Sequence, residues 1–235
     1  SLERPRDGDK IGPLAEFDDG GTSIYHGMLL SIERRAARGL TISTNYTLSH
    51  CIGPYADINS AGPPADETFT RINDRDFDHG NCVADRRQLV NFTAVASTPE
   101  FANSTLRMLG TGWRLAGIYR FSSGSPLNIT DGVDRALTGT NNQRPNQILA
   151  DTYKDKSARP LTQWFDPAGF AQQALGTYGN VAYNAFRGPS TWSFDLALSR
   201  NFNIHEAQRL EVRAEAFNVT NSFRPGIMER WGMGY

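Results

Sequence analysis

The chain has 235 residues, enough for one or two domains, with 39% hydrophobic residues, 22 Gly, 12 Pro and a formal net charge of −1. That charge leaves no basic footprint, so nucleic acid is excluded as an expected partner. No apolar run reaches 18 residues, which excludes a transmembrane helix but not a membrane barrel, whose strands alternate and score as hydrophilic overall.

The chain opens in "SLERPRDGDK", with no basic-then-apolar signal segment, so the expectation is a removed signal or a start within a longer protein. Six stretches of strand alternation follow. In Ser23–Glu33, Ile24, His26, Met28, Leu30 and Ile32 share a face, and the turn "RRAARG" comes next. In Leu40–Cys51, Leu40, Ile42, Tyr46 and Leu48 oppose Thr41, Ser43, Asn45, Thr47 and Ser49. Gln88–Thr98 groups Val90, Phe92, Ala94 and Ala96, and a helical turn is predicted at Ser104–Leu109. Gly112–Ser122 sets Trp113, Leu115, Tyr119 and Phe121 against Arg114, Arg120 and Ser122. From Thr191 onward, Trp192, Phe194, Leu196, Leu198, Phe202 and Ile204 alternate with Ser193, Asp195, Ala197, Ser199, Asn201 and Asn203. Arg200 interrupts the apolar face near a turn, where its charge can snorkel. In Arg209–Val219, Leu210, Val212, Ala214 and Ala216 oppose Glu211, Arg213 and Glu215. Parity across this last hairpin predicts a loop of three residues (His205–Ala207) or five (His205–Arg209).

The connections sort by length. Short or intermediate links ("RRAARG", Pro99–Thr111, "HEAQ") fall at one end of the sheet, and long ones (Ile52–Arg86, Asp131–Ser190) fall at the other. A soluble sandwich has no reason to sort its loops in this way, whereas outer-membrane barrels have short periplasmic turns and longer external loops. The ten residues from Trp192 to Phe202 span about 34 Å extended, or about 26 Å at a tilt of roughly 40°, close to the apolar band of such a barrel. Six strands are too few to close a barrel, since about eight is the smallest number that does. The remaining strands are therefore expected from a longer parent protein.

Cys51 and Cys82 leave one possible pair, with His50 and His79 nearby. A zinc site is disfavoured because adjacent strand residues point to opposite faces. A disulfide, implying an oxidising compartment, is favoured over two free thiols. "NDRDFDHGN" places Asp74, Asp76, Asp78 and Asp85 at spacings that echo a calcium loop, but His79 stands where the sharp-turn Gly belongs and Asp85 replaces the final Glu. An acidic, solvated external loop is the better reading. Asn-X-Thr triplets at Asn45, Asn91, Asn103, Asn128 and Asn218 read as the wet faces and edges of strands rather than as glycosylation acceptors. No nucleophile, base and orienter assemble by spacing, so the expectation is no enzyme, no cofactor and no metal.

The stretches "SIYHGMLLSIERRAARGLTISTNYTLSHC", "NCVADRRQLVNFTAVASTPEF", "GWRLAGIYRFSSGSPLNIT", "WFDPAGFAQQALGTYGNVAYNAFRGPSTWSFDLALSRNF" and "RLEVRAEAFNVTN", in this order, resemble the C-terminal part of the β-barrel of TonB-dependent outer-membrane receptors of the Oar-like kind. The resemblance spans residues 20–226; "IMERWGMGY" departs from that family's closing strand. It implies an all-β, antiparallel up-and-down meander of about six long strands, forming part of a transmembrane β-barrel. Residues 1–235 would be a single barrel segment lacking plug, signal peptide and closing strand. The implied location is the bacterial outer membrane, and the implied function is channel wall plus external ligand-capture loops for transport. A Cys51–Cys82 bridge would staple the base of an external loop. Ser193, Asp195, Glu211, Arg213 and Glu215 would face the lumen, and Trp192, Phe194, Leu196, Leu198 and Phe202 the lipid. Implied partners are outer-membrane lipid, the rest of the barrel and its plug, TonB through the missing N-terminal part, and an unidentified ligand. The alternatives are a non-transporting adhesion or binding barrel, and a soluble secreted β-sandwich that binds carbohydrate.

Overall fold

The computed structural model describes residues 21–37, 39–54, 70–71, 74–139, 143–154, 164–205, 208–223 and 230–232. In chain order the strands are β1 (Ile24–Ala37), β2 (Leu40–Gly53), β3 (Gly80–Asn81), β4 (Gln88–Ser97), β5 (Trp113–Ser122), β6 (Pro126–Thr130), β7 (Asn146–Gln147), β8 (Phe170–Ala171), β9 (Phe186–Arg187), β10 (Thr191–His205), β11 (Gln208–Ala216) and β12 (Arg230–Gly232). Among the described residues one α-helix, α1 (Ser104–Gly110), joins β4 to β5.

Six of these strands form an antiparallel meander in the order β1-β2-β4-β5-β10-β11, with β3 clipped to the end of β2. The even–odd alternation of the sequence becomes continuous rows across the sheet. Leu30, Tyr46, Val90, Phe121 and Trp192 are register partners in succession, followed by Ile32, Thr44, Phe92, Tyr119 and Phe194. Leu40, Ala96, Leu115, Leu198 and Ala214 form a lower row. On the other face run Ser31, Asn45, Asn91, Arg120 and Ser193, then Glu33, Ser43, Thr93, Ile118 and Asp195. Aromatic residues gather towards the two ends of the apolar face, with aliphatic and small residues between them.

Burial inverts the usual order for a water-soluble sheet. Ser193 and Ser199 are buried on β10, whereas Trp192, Leu198 and Phe202 on its other face are about two-fifths exposed. A soluble sandwich would cover that apolar face with a second sheet. Among the described residues the long strands form one layer, and β1 and β11 remain its edges.

The predicted elements form, with two corrections at the tight turns and a third at the far end of β11. That strand stops at Ala216 rather than Val219, where Asn218 turns at φ +49°. β1 runs on through Ala37, so the "RRAARG" turn contracts to residues 38–39, and the register shifts between Arg34 and Ala37. Gly39 closes the turn at φ +80°, where a Cβ would also lie 2.5 Å from the Ser97 carbonyl oxygen. In the last hairpin, Phe202↔Leu210 and Asn203↔Arg209 keep the expected parity, but a shift between Asn203 and His205 lets His205 pair with Gln208. The loop is therefore shorter than the three or five residues expected. A bulge absorbs the odd residue, as one extra residue on one strand must; residues 206–207 lie outside those described. The predicted helical turn appears as α1, capped by Asn103, whose side-chain oxygen accepts from the amides of Thr105 and Leu106.

Candidate functional site

Within their described residues the long connections are not open loops. Most of the buried apolar core lies here, beyond the long-loop ends of the strands. Leu127 and Ile129 of β6 pack with Phe165, Phe170, Val181 and Phe186, and Tyr153 and Trp164 lie against them. The rings meet edge-on: Phe165 and Phe186 have centroids 5.3 Å apart at 70°, and Phe170 and Phe186 are 5.6 Å apart at 78°. The Tyr153 hydroxyl accepts from the Arg187 amide at 2.8 Å, and the Trp164 indole donates to the Arg187 carbonyl at 3.0 Å. Each large aromatic therefore keeps its polar end satisfied while its body fills the core.

Charged groups bind this unit to the other long connection. Arg144 and Asp78, both 2% exposed at the side chain, form an ion pair at 2.5 Å. The Arg144 guanidinium also donates to the carbonyls of Val181 and Phe77 and lies 4.2 Å from the Phe77 ring centre. The Asp78 carboxylate receives the Thr70 hydroxyl at 2.8 Å as well as the Thr70 amide. Arg187 pairs with the buried Asp85, whose other oxygen accepts from the Cys51 amide at 2.7 Å. Both buried carboxylates thus meet a guanidinium and at least one further donor, the condition under which a buried charge is tolerated.

Cys51 and Cys82 form a disulfide, with Cα atoms 5.4 Å apart. The bridge joins the outer end of β2 to the residue following β3. Asn81 and Asn184 then exchange hydrogen bonds, each side-chain amide donating 2.8 Å to the other's carbonyl. His50 lies 3.1 Å from Asn81 Oδ1 through its Nε2. Gly80 fits against this seam because a Cβ would lie 2.0 Å from the Tyr183 carbonyl oxygen. The zinc alternative fails here, since both thiols are consumed by the bridge. Among the described residues, no three His, Cys, Asp or Glu side chains converge in a way that could hold a metal ion.

The acidic run is only half as predicted. Asp74 and Asp76 are exposed, and Asp74 pairs with Arg71 at 2.9 Å, but Asp78 and Asp85 are buried. Arg144 and Arg187 are the partners the sequence reading missed. They lie 66 and 102 residues from their carboxylates, beyond the reach of any local motif. The only sequence signal was an arginine beside aromatic or proline-rich stretches, "NQRPNQ" and "NAFRGP". Of the Asn-X-Thr positions, Asn45 and Asn91 pair across β2 and β4, and Asn103 caps α1. Asn218 closes a turn with Ser222.

On the sheet itself, Asp195 is paired with Arg120 at 3.2 Å and accepts from the Asn218 amide at 2.8 Å. Ser193 and Asp195 share a face with Glu211, Arg213 and Glu215 of the exposed edge strand, where Arg213 and Glu215 lie 2.5 Å apart. Trp192, Phe194, Leu196, Leu198 and Phe202 occupy the other face.

A second acidic pair inside the external unit has opposed electrostatics. Burial pushes the Asp131 carboxyl up, and one of its oxygens has no partner. Burial also acts upward on Asp134, but its donors outweigh it and hold that carboxyl below the usual range. These are the amides of Thr138 and Gly139 at 2.9 and 2.7 Å and the Gln143 amide group at 2.6 Å. Because the folded value is lowered, the Asp134 contribution is fully present above its unfolded value near 3.8 and is lost as pH falls through the folded one. Replacing Asp134 by Ala is expected to destabilise the Asp131–Gly139 segment by about 1–2 kcal/mol at neutral pH. Faster hydrogen exchange around Ala136 at pH 7, with a smaller further loss in acid than in the parent, is the readout.

A single layer of long antiparallel strands, apolar on one face and polar on the other, with its connections sorted by length, defines a membrane-spanning β-barrel wall. The chain belongs to the outer membrane beta barrel domain family, whose model matches residues 2–225, and this places it in the bacterial outer membrane. Comparison with curated proteins and with solved structures returned no match.

Proposed function

We propose that the chain is the wall segment of a TonB-dependent outer-membrane transporter and that its external unit captures the ligand. The observation that carries this reading is the folded state of the long connections. A barrel that only spans the membrane has no need of a separate core, two buried ion pairs and a disulfide above its rim. A unit with its own core over a polar wall suits capture and handover, because binding groups held in place lose little entropy when they engage. In this reading Ser193, Asp195, Glu211, Arg213 and Glu215 face the lumen, and Trp192, Phe194, Leu196, Leu198 and Phe202 face lipid. The resemblance to Oar-like receptors supports the same assignment. No enzymatic role is part of it: the Asp78 and Asp85 carboxylates are neutralised by arginines, and His50 sits against an amide oxygen.

The test uses the periplasmic domain of TonB, immobilised, and outer membranes containing the polypeptide that carries this chain. Retention of that polypeptide on the column is the expected result. Failure to bind, with the barrel demonstrably folded, would overturn transport in favour of a binding or adhesion barrel.

A further inference from the structure

Helix α1 sits at the short-turn end of the sheet, yet its large side chains find no core. Leu106, Met108 and Leu109 are 54%, 67% and 60% exposed. At about 100° per residue they cover an arc of roughly 160° with Thr105 between them, and Ser104 and Arg107 lie outside it. Arg107 folds back, donating to the carbonyls of Phe101 and Ala102 at 2.9 and 3.1 Å. The helix is therefore amphipathic, with an uncovered apolar side.

Its C-terminal end is covered by the wall. The Trp113 indole donates to the Leu109 carbonyl at 2.8 Å, and the Arg200 guanidinium donates to the carbonyls of Met108 and Thr111. Trp113 and Arg200 are direct register partners on the apolar face, and the guanidinium lies 4.7 Å from the Phe202 ring centre and 5.2 Å from that of Trp113. C-terminal helix carbonyls normally look to water. Here a belt tryptophan and a snorkelling arginine take that role, which lets the helix end lie where water is scarce.

We propose that α1 is an interfacial anchor that lays Leu106, Met108 and Leu109 into the phospholipid leaflet at the short-turn end of the barrel. The occupant is lipid rather than protein because the exposed arc continues the apolar face of the wall through Trp113, Arg200 and Phe202, residues placed as an interfacial belt. Arg200 then serves two purposes, since the break it makes in the apolar pattern docks the helix against the belt. The proposal rests on the lipid-facing assignment of the even face of β10.

Benzoylphenylalanine placed singly at Leu109, Ser104 or Leu198, in the polypeptide carrying this chain and in outer membranes, tests it by photocrosslinking and mass analysis. Each variant is first required to show heat-modifiable migration, and Leu106 replaces Leu109 if that variant fails. Phospholipid adducts at Leu109 comparable to those at Leu198, and at least ~fivefold above Ser104, are expected from the amphipathic arc. Lipid adducts at Leu198 but not at Leu109 would overturn the anchor and leave the lipid-facing wall standing. A protein adduct at Leu109, or equal lipid labelling at Ser104 and Leu109, would also overturn it. Loss of lipid adducts at Leu198 would remove the wall assignment and the anchor together.

Discussion

Replacing Arg144 by Met will destabilise the external unit by about 3–5 kcal/mol, because it leaves the Asp78 carboxylate buried without its cation. The substitution also removes donors to the Val181 and Phe77 carbonyls and the contact over the Phe77 ring. The wall strands share none of these contacts, so the loss is confined to the outside of the barrel. Limited proteolysis of outer membranes will read it as rapid cleavage within residues 74–86 and 131–154, with β-sheet content and heat-modifiable migration retained. The double variant Arg144→Met/Asp78→Leu is expected to recover much of the loss, since removing both charges removes the desolvation penalty as well. Equal proteolysis of the parent and the single variant would mean that this pair does not hold the connections together.

Reduction of the Cys51–Cys82 bridge, or its replacement by two serines, is expected to cost roughly 3–4 kcal/mol by the chain-entropy estimate for a closed loop of this size. The cost falls on the connection between β2 and β4. Its second tether, Asp85 to the Cys51 amide and to Arg187, remains in place. The unit is therefore expected to loosen without detaching, seen as faster hydrogen exchange over residues 74–87 with little change across β4 and β5. Intact mass before and after alkylation, with and without reduction, checks the bridge directly; two alkylated thiols without reductant would refute it.

The wall was legible in the sequence because a strand of period two, buried differently on its two faces, writes its orientation into every residue. The rows from Leu30 to Trp192 and from Ser31 to Ser193 follow from parity once the strands are placed in order. Parity failed where the chain turned. The bulges before Ala37 and His205 shift one residue locally, and alternation carries no information about such a shift. The external unit was not legible. Leu127, Ile129, Phe165, Phe170, Val181 and Phe186 have no common period, and strands of two residues such as β7, β8 and β9 leave no pattern to read. The acidic run was visible but its burial was not, because solvation of a carboxylate is decided by whatever packs against it. For Asp78 and Asp85 that was an arginine from a distant connection.

The ties between the two long connections set an order of events in folding. Asp78 and Asp85 lie between β2 and β4, whereas Arg144, Asn184 and Arg187 lie between β5 and β10. These contacts are expected to close only after the intervening strands have paired, since loops of such sequence separation are entropically costly to close early. The external unit is thus a late-forming seal whose protease resistance appears when β2 to β10 are in register. A probe that never enters the membrane can report from outside the cell whether the strands inside it have been assembled.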